Sequence, residues 1–249
     1  MAWLKTIVTV NQEPHHEAQN VIIDVANPLI HKASDMEIMN HVDVFLRLHD
    51  AWPVISVANT IFPEALYRRH GAPKFYDVYL KMVYPRVKRK QGDWGRYFER
   101  MIRYPSSTGE PLNPLADLVA KLKQHVGAER TFRNAYELSI LHPHLDIGIY
   151  DPSRDAGPVM NRQCLSFLSF KLDANNRLLL TAMYRNHYYV ARLLGNLIGL
   201  GRLMAFVGKE AKIEVGSLTV VSTHAQIDTD KWKRAEISKL LKACEAVLS

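Results

Sequence analysis

Cys164 opens an apolar run in the stretch "MNRQCLSFLSF" (160–170), and it is one of only two cysteines in the chain. A cysteine here has two chemistries open to it. As a thiolate it is a strong nucleophile and a good leaving group, provided nearby positive charge lowers its pKa. As a neutral thiol it is among the side chains most often buried as simple packing. Cys244 lies in a helical pattern with no partner motif and reads as packing. His142 and His144 offer two imidazoles, but no third metal ligand is identifiable beside them. The segment 84–104 interleaves Arg86, Lys88, Arg89, Lys90, Arg96, Arg100 and Arg103 with aromatics. Such a stretch can stack bases and meet phosphates, yet no nucleic-acid module surrounds it, which argues against a nucleic-acid partner. "GLGR" (199–202) lies inside an apolar helix and lacks the strand–loop–helix context of a phosphate loop; its glycines read as close helix packing.

The elements that must position these residues are ordinary ones. The sequence has 249 residues, 47% hydrophobic and 23% charged, enough for a sizeable core and against extended disorder. The formal net charge of +7 fits anionic partners. Two cysteines cannot form a disulfide framework, the first residues do not read as a signal peptide, and no stretch reads as a membrane span. A soluble cytoplasmic protein is therefore expected. "KTIVTV" and "NVIIDVANP" read as strands, and "DMEIMNHVDVFLRLHDAW" as a helix with Asp35 as N-cap. "ISVANTIFPEALYRRH" continues as a buried helix that bends or stops before Pro63. "PLADLVAKLKQHV" is an amphipathic helix and "LDIGIYDPSRD" a short strand. "QCLSFLSFKL" and "RLLLTAMYRNHYY" pair as antiparallel strands across the turn "DANN". A buried helix (191–211), a strand (216–227) and a final amphipathic helix (231–248) follow. Strands and helices mix without a regular βαβ rhythm, so the expectation is α+β, with residues 1–249 as one domain.

The ordered set from Cys164 to His224 resembles the thymidylate synthase and pyrimidine hydroxymethylase superfamily. That family places a nucleophilic cysteine at a strand start, then a hairpin, then an R-S-x-D-x-F-L-G-x-P-F-N pattern, a long helix, a V-G turn and a strand ending in T-H. This chain reads Cys164, a hairpin, "RNHYYVARLLGN" (185–196), a helix, "EVGSLTVV" and "STHA". "GRYFERMIRY" is similar to the family's segment facing the active site, with Tyr97 as the matching tyrosine. The resemblance implies a mixed or antiparallel sheet packed with helices, one sheet face forming a homodimer interface. It implies Cys164 as nucleophile and Arg185 on the phosphate, with Asn186 able to help there. It further implies Asn196 on the pyrimidine edge, His224 on the sugar and Tyr97 facing the site. The substrate class would be a pyrimidine nucleotide: dUMP, dCMP or a ribo-equivalent.

The departures from the pattern are equally specific. Tyr188 stands where the family has Asp, and Leu165 follows the cysteine where His or Gln is usual. The family's general-acid/base glutamate is missing; Asn59, the only side-chain amide in "VANTIFP", is the candidate substrate contact in that helix. His142 and His144 sit near the place of a paired arginine, and a basic amphipathic helix replaces the family's C-terminal tail. The resemblance implies methylenetetrahydrofolate as the one-carbon donor, and these departures count against it. A C5-transferase with a variant reaction is the first expectation, and a nucleotide-binding sensor that has lost turnover is the second.

Overall fold

The computed structural model describes residues 1–87, 96–106, 109–126, 134–140 and 163–248. The first element corrects the sequence reading. "KTIVTV" belongs to helix α1 (Ala2–Gln12), not to a strand. Its β-branched residues hide a helical period that appears once Trp3 and Leu4 are counted, because Trp3, Leu4, Ile7 and Val10 bury one face. Thr6 and Thr9 donate their hydroxyls to the carbonyls of Ala2 and Lys5, four residues back, so these two strand-formers are satisfied inside a helix.

Strand β1 (Glu17–Val25) follows, then α2 (Ala33–Leu48). Asp35 is not its N-cap: the helix starts two residues earlier, and Asp35 accepts from the Lys32 backbone N–H at 2.9 Å. Helix α3 (Val54–Ile61) stops before Pro63, as expected, and α4 (Glu64–His70) resumes after it. Helix α5 (Lys74–Val78) runs through a π-helical turn into α6 (Tyr84–Val87), and α7 (Tyr97–Ile102) lies beyond. Helix α8 (Pro114–His125) buries Leu115, Leu118, Val119 and Leu122, with Asn113 as its N-cap. The expected strand within 145–155, together with His142 and His144, lies outside the described residues.

The sheet comprises β1, β2 (Glu137–Ser139), β3 (Leu165–Leu172), β4 (Leu178–Tyr184), β5 (His187–Tyr188) and β6 (Val215–Gln226). Its order is β1-β6-β4-β3-β2, with β5 beside β6. The pairs β1–β6, β2–β3 and β3–β4 are antiparallel, whereas β4 and β5 run parallel to β6. The fold is thus α+β on a mixed sheet. One sheet face, carrying Ile23, Val220, Ala182 and Leu168, joins the helical core. On the other, Ile22, Val221, Met183 and Phe167 stand in register as a row across four strands. Ile22 and Met183 are exposed there, and Val221 and Phe167 are half-buried.

The hairpin strand expected over 177–189 breaks at Arg185 and Asn186, which separate β4 from β5. A π-helical turn (Tyr189–Leu193) then leads into α9 (Leu194–Ala211). Within the described residues, Tyr189–Ala211 is the one helix long and apolar enough to cross a membrane, and most of it is buried inside the protein. Its glycines allow that burial. A Cβ on Gly195 would lie 2.5 Å from the Val57 Cβ and 2.7 Å from the Val54 carbonyl, and one on Gly199 would lie 2.8 Å from the Ala58 carbonyl. Helix α10 (Arg234–Ala246) closes the described chain with Cys244 in its buried face.

Candidate active site

Cys164 sits immediately before β3, half-buried, where the ends of β3 and β4 meet. Its carbonyl accepts from the Arg185 N–H at 3.0 Å, and Arg185 Nε donates to the Gln163 carbonyl at 2.8 Å. The guanidinium is therefore tied to the backbone that carries the thiol. Tyr97, at the start of α7, accepts from the next N–H, that of Leu165, at 3.4 Å. Burial raises the phenol pKa of Tyr97 above its ordinary value. Three of the expected residues are thus assembled by contacts to consecutive backbone groups.

Burial is also the largest influence on Cys164 and pushes its thiol up. The charges of Arg185, Arg192 and Lys231 pull it down without overcoming that effect. At rest the Cys164 side chain is a protonated thiol, the reverse of a standing thiolate. Tyr184 lies on the same side: its hydroxyl is buried without a hydrogen-bond partner among the described residues, and both Tyr97 and Cys164 act on it electrostatically.

Asn196 reaches this group through a buried chain of contacts. Its Nδ2 donates to His187 Nε2 at 2.9 Å, and His187 Nδ1 meets Ser222 Oγ at 2.9 Å. Tyr189 donates to the same Ser222 Oγ at 3.3 Å. The His187 ring stacks on Tyr184, with centroids 4.0 Å apart and planes 12° from parallel. Burial lowers the His187 pKa to about 3, so the ring is neutral near pH 7.

Neither a known protein family nor a curated protein matches this chain by sequence. The site must therefore be argued from its own groups.

Asn186 and His224 are brought together, with His224 Nδ1 3.0 Å from Asn186 Oδ1. Gln226 Nε2 donates to the same Oδ1 at 3.0 Å, and His224 Nε2 lies 3.3 Å from Glu17 Oε2. This polar cluster occupies the ends of β1 and β6, beside the Arg185–Asn186 break. Asn59 is not assembled with the others. It is exposed on α3, where its Oδ1 accepts from Arg202 at 3.2 Å, and Arg202 also pairs with Glu64. Among the described residues no contact joins Asn59 to Cys164. The helical period that buries Val57, Ala58 and Ile61 against α9 turns residue 59 outward.

Several residues of this neighbourhood escaped the sequence reading. Asp228 is fully buried, and its Oδ2 accepts the N–H groups of Val190 (2.9 Å) and Ala191 (3.3 Å), at the start of the long helix. Burial raises the Asp228 pKa, opposed first by Lys231, whose Nζ is 3.5 Å from Oδ1. Lys231 also lies 3.7 Å above the Tyr188 ring, and Arg192 lies 4.8 Å from the Trp52 ring centroid. Only the inward parity of Ser222 in an apolar strand carried a usable signal.

This set does not fit a folate. A pterin's amino-pyrimidine edge offers donors that suit a carboxylate, and Asp228 is fully buried, with Oδ2 taken by two N–H groups and Oδ1 facing Lys231 at 3.5 Å. Tyr188, under a cation, stands where the resemblance requires an aspartate. No group of three or more metal-ligating side chains is assembled among the described residues. An apolar cavity of about 750 Å³ lies elsewhere, lined by Met1, Ile30, Met36, Leu197 and Arg202 among others, and it contains none of the expected site residues.

Proposed function

We propose that the protein is a thymidylate-synthase-like transferase that modifies carbon 5 of a pyrimidine nucleotide through a Cys164 adduct. The observation that carries this reading is the tethering of Arg185 and Tyr97 to the backbone on both sides of Cys164. A guanidinium held there brings a fixed positive charge that suits a nucleotide phosphate. The Cys164 thiol gives up its proton to water and the sulfur adds to carbon 6. The carbon 5–carbon 6 π pair then moves toward the carbon 4 substituent, which makes carbon 5 nucleophilic. Carbon 5 adds to an aldehyde-level one-carbon donor, whose C=O π pair takes up a proton to become a hydroxyl, or, failing that, carbon 5 takes a proton from water. Loss of the original carbon-5 hydrogen and departure of the thiolate restore the ring. In this reading Asn196 meets the base edge, and His224 with Asn186 meets the sugar.

The exposed row of Ile22, Val221, Met183 and Phe167 supports a homodimer formed by pairing these sheet faces. Cys164 and Cys244 form no disulfide with one another, which suits the cytoplasm. A second reading has its own support. A thiol pushed up by burial, beside a site that does not fit folate, suits a nucleotide-binding protein without turnover.

Tritium release from carbon-5-labelled dUMP, dCMP, UMP and CMP separates the two. Release that disappears in Cys164→Ala is the expected result. Binding of a nucleotide with no release overturns the enzyme in favour of the sensor, and absence of binding by all four overturns the nucleotide reading itself.

A further inference from the structure

Between Leu194 and Ala205 the residues of α9 are buried except on one stripe. Its half-buried members are Leu194, Leu197, Ile198, Arg202 and Ala205, and with Gly201 they line the cavity of about 750 Å³. Their spacing puts them on a single face of the helix. The floor of the cavity is closed by the buried Trp3, Ile38 and Leu218, whereas Leu29, Ile30, Met36 and Ile55 stand exposed around its mouth. Exposed apolar side chains gathered around a hollow of this size, with a few charged groups among them, mark a ligand site rather than scattered surface.

The charges say which end of a ligand belongs where. Lys32 and Asp35 both border the cavity and offset one another. Arg202 and Glu64 do not balance. Glu64 Oε2 lies 3.2 Å from Arg202 Nε and 3.3 Å from Arg68 Nη2, so one carboxylate serves two guanidiniums and a positive charge is left over. The Arg68 side chain is 72% exposed and screened by water, whereas that of Arg202 is only 19% exposed. Asn59 Oδ1 holds Arg202 Nη1 at 3.2 Å, and among the described residues Nη2 meets no acceptor. Asn59 and the end of "GLGR", which the Cys164 group does not use, therefore converge here. From Leu194 to Arg202 the stripe runs about 12 Å along the helix. We propose that this cavity binds a medium-chain fatty acid, with its carboxylate on Arg202 and its alkyl chain along Leu194, Leu197 and Ile198. The chain covers the stripe that the fold leaves half-buried, and the carboxylate supplies the negative charge that the two guanidiniums lack. The site is separate from the Cys164 group and does not depend on the nucleotide reading.

Carbon-13 methyl spectra of methionine-labelled protein, titrated with laurate below its micelle concentration, test the proposal. Met36 and Met39 line the cavity, while Met183 lies on the outer sheet face and reports binding at the wrong apolar surface. Saturable shifts of Met36 and Met39 with Met183 unmoved are the expected result. Dodecanol carries the same chain without a charge, and dodecyltrimethylammonium carries the opposite charge. Both should bind about 10- to 100-fold more weakly than laurate, the loss of a charged hydrogen-bond partner. Arg202→Met should weaken laurate by a similar factor, and Glu64 keeps Arg68 as its partner in that variant. Glu64→Gln removes the competing carboxylate and should tighten laurate several-fold, a gain that a misfolded variant cannot give. Equal binding of the three ligands overturns the proposal, as do variants that leave laurate affinity unchanged. So do shifts at Met183 in place of Met36 and Met39, or a wild type that does not bind laurate. Met36 and Met39 signals that ignore laurate but move with protein concentration overturn it in favour of a second copy of the chain at the mouth. None of these outcomes touches the nucleotide reading.

Discussion

Gly195→Ala places one methyl group at the crossing of α3 and α9, and its effect can be worked from the coordinates. The added Cβ would lie 2.5 Å from the Val57 Cβ, 2.7 Å from Val57 Cγ1 and 2.7 Å from the Val54 carbonyl oxygen, where ordinary contact is 3.4–4 Å. Two of these three atoms are a carbonyl oxygen and a Cβ, which cannot rotate away. Relief requires the helices to separate by roughly an ångström, which loosens the packing along their contact. Overpacking of this kind costs about 1–3 kcal/mol, and immovable partners put it at the upper end. Alanine returns about 1 kcal/mol of helix propensity. The net expectation is a loss of about 2 kcal/mol, or about 4–8 °C in Tm for a chain of this size. Urea and thermal unfolding of both proteins measure it. Adding Val57→Ala removes only the Cγ1 contact and leaves the Cβ and carbonyl contacts, so it should rescue little. Asn196 is the next residue, so separation of the helices should also weaken nucleotide binding. A Gly195→Ala protein within about 0.5 kcal/mol of wild type would refute the close-crossing argument.

Alkylation by iodoacetamide should label Cys164 alone, because Cys244 is fully buried with its thiol pushed up to about 12. The Cys164 rate should climb with pH and keep climbing past the ordinary thiol range, since its folded pKa is raised; a plateau below that range contradicts the burial argument. The stability its neutral thiol confers is complete below the unfolded-state pKa and fades as pH rises through the folded one. Asp228→Ala strips the acceptor from two helix-start N–H groups and removes the carboxylate facing Lys231. It should cost about 2–4 kcal/mol, and Asp228→Asn, which keeps an acceptor, should cost less; equal losses in denaturant titrations would count against the capping role. Met183→Glu, in the outer sheet row, should turn a dimer into a monomer in sedimentation velocity, and an unchanged sedimentation coefficient would remove that face from consideration as the interface.

Much of the fold was legible because burial follows period. Helix α8 and strands β3, β4 and β6 were readable from their spacing, and Pro63 marked the end of α3. Helix α1 was not, because β-branched residues outweighed its 3–4 spacing, and Asp35 was displaced to the third helical position by a start at Ala33. Cys164, Arg185 and Tyr97 were legible as a set, since their contacts run through backbone groups that strand pairing fixes. Asn59 could not be phased from the sequence: its place in an apolar helix says that one face is buried, not that this residue is on it. The partners of Asn196 were hidden for a different reason. His187 and Ser222 lie 35 residues apart and meet only once β5 docks on β6.

The Asp228 carboxylate also bears on the order of assembly. It ties down the start of a helix that begins at Tyr189, yet it lies 38 residues downstream of the first N–H it receives. A ribosome adding about 5–20 residues per second delivers that carboxylate roughly 2–8 s after Val190 is made. Until then the one described helix long and apolar enough to cross a membrane has its first turn uncapped and no β6 beside β4. Newborn chains must keep this segment from wrong partners for seconds, which makes 189–228 the interval in synthesis when a chaperone has the most to shield.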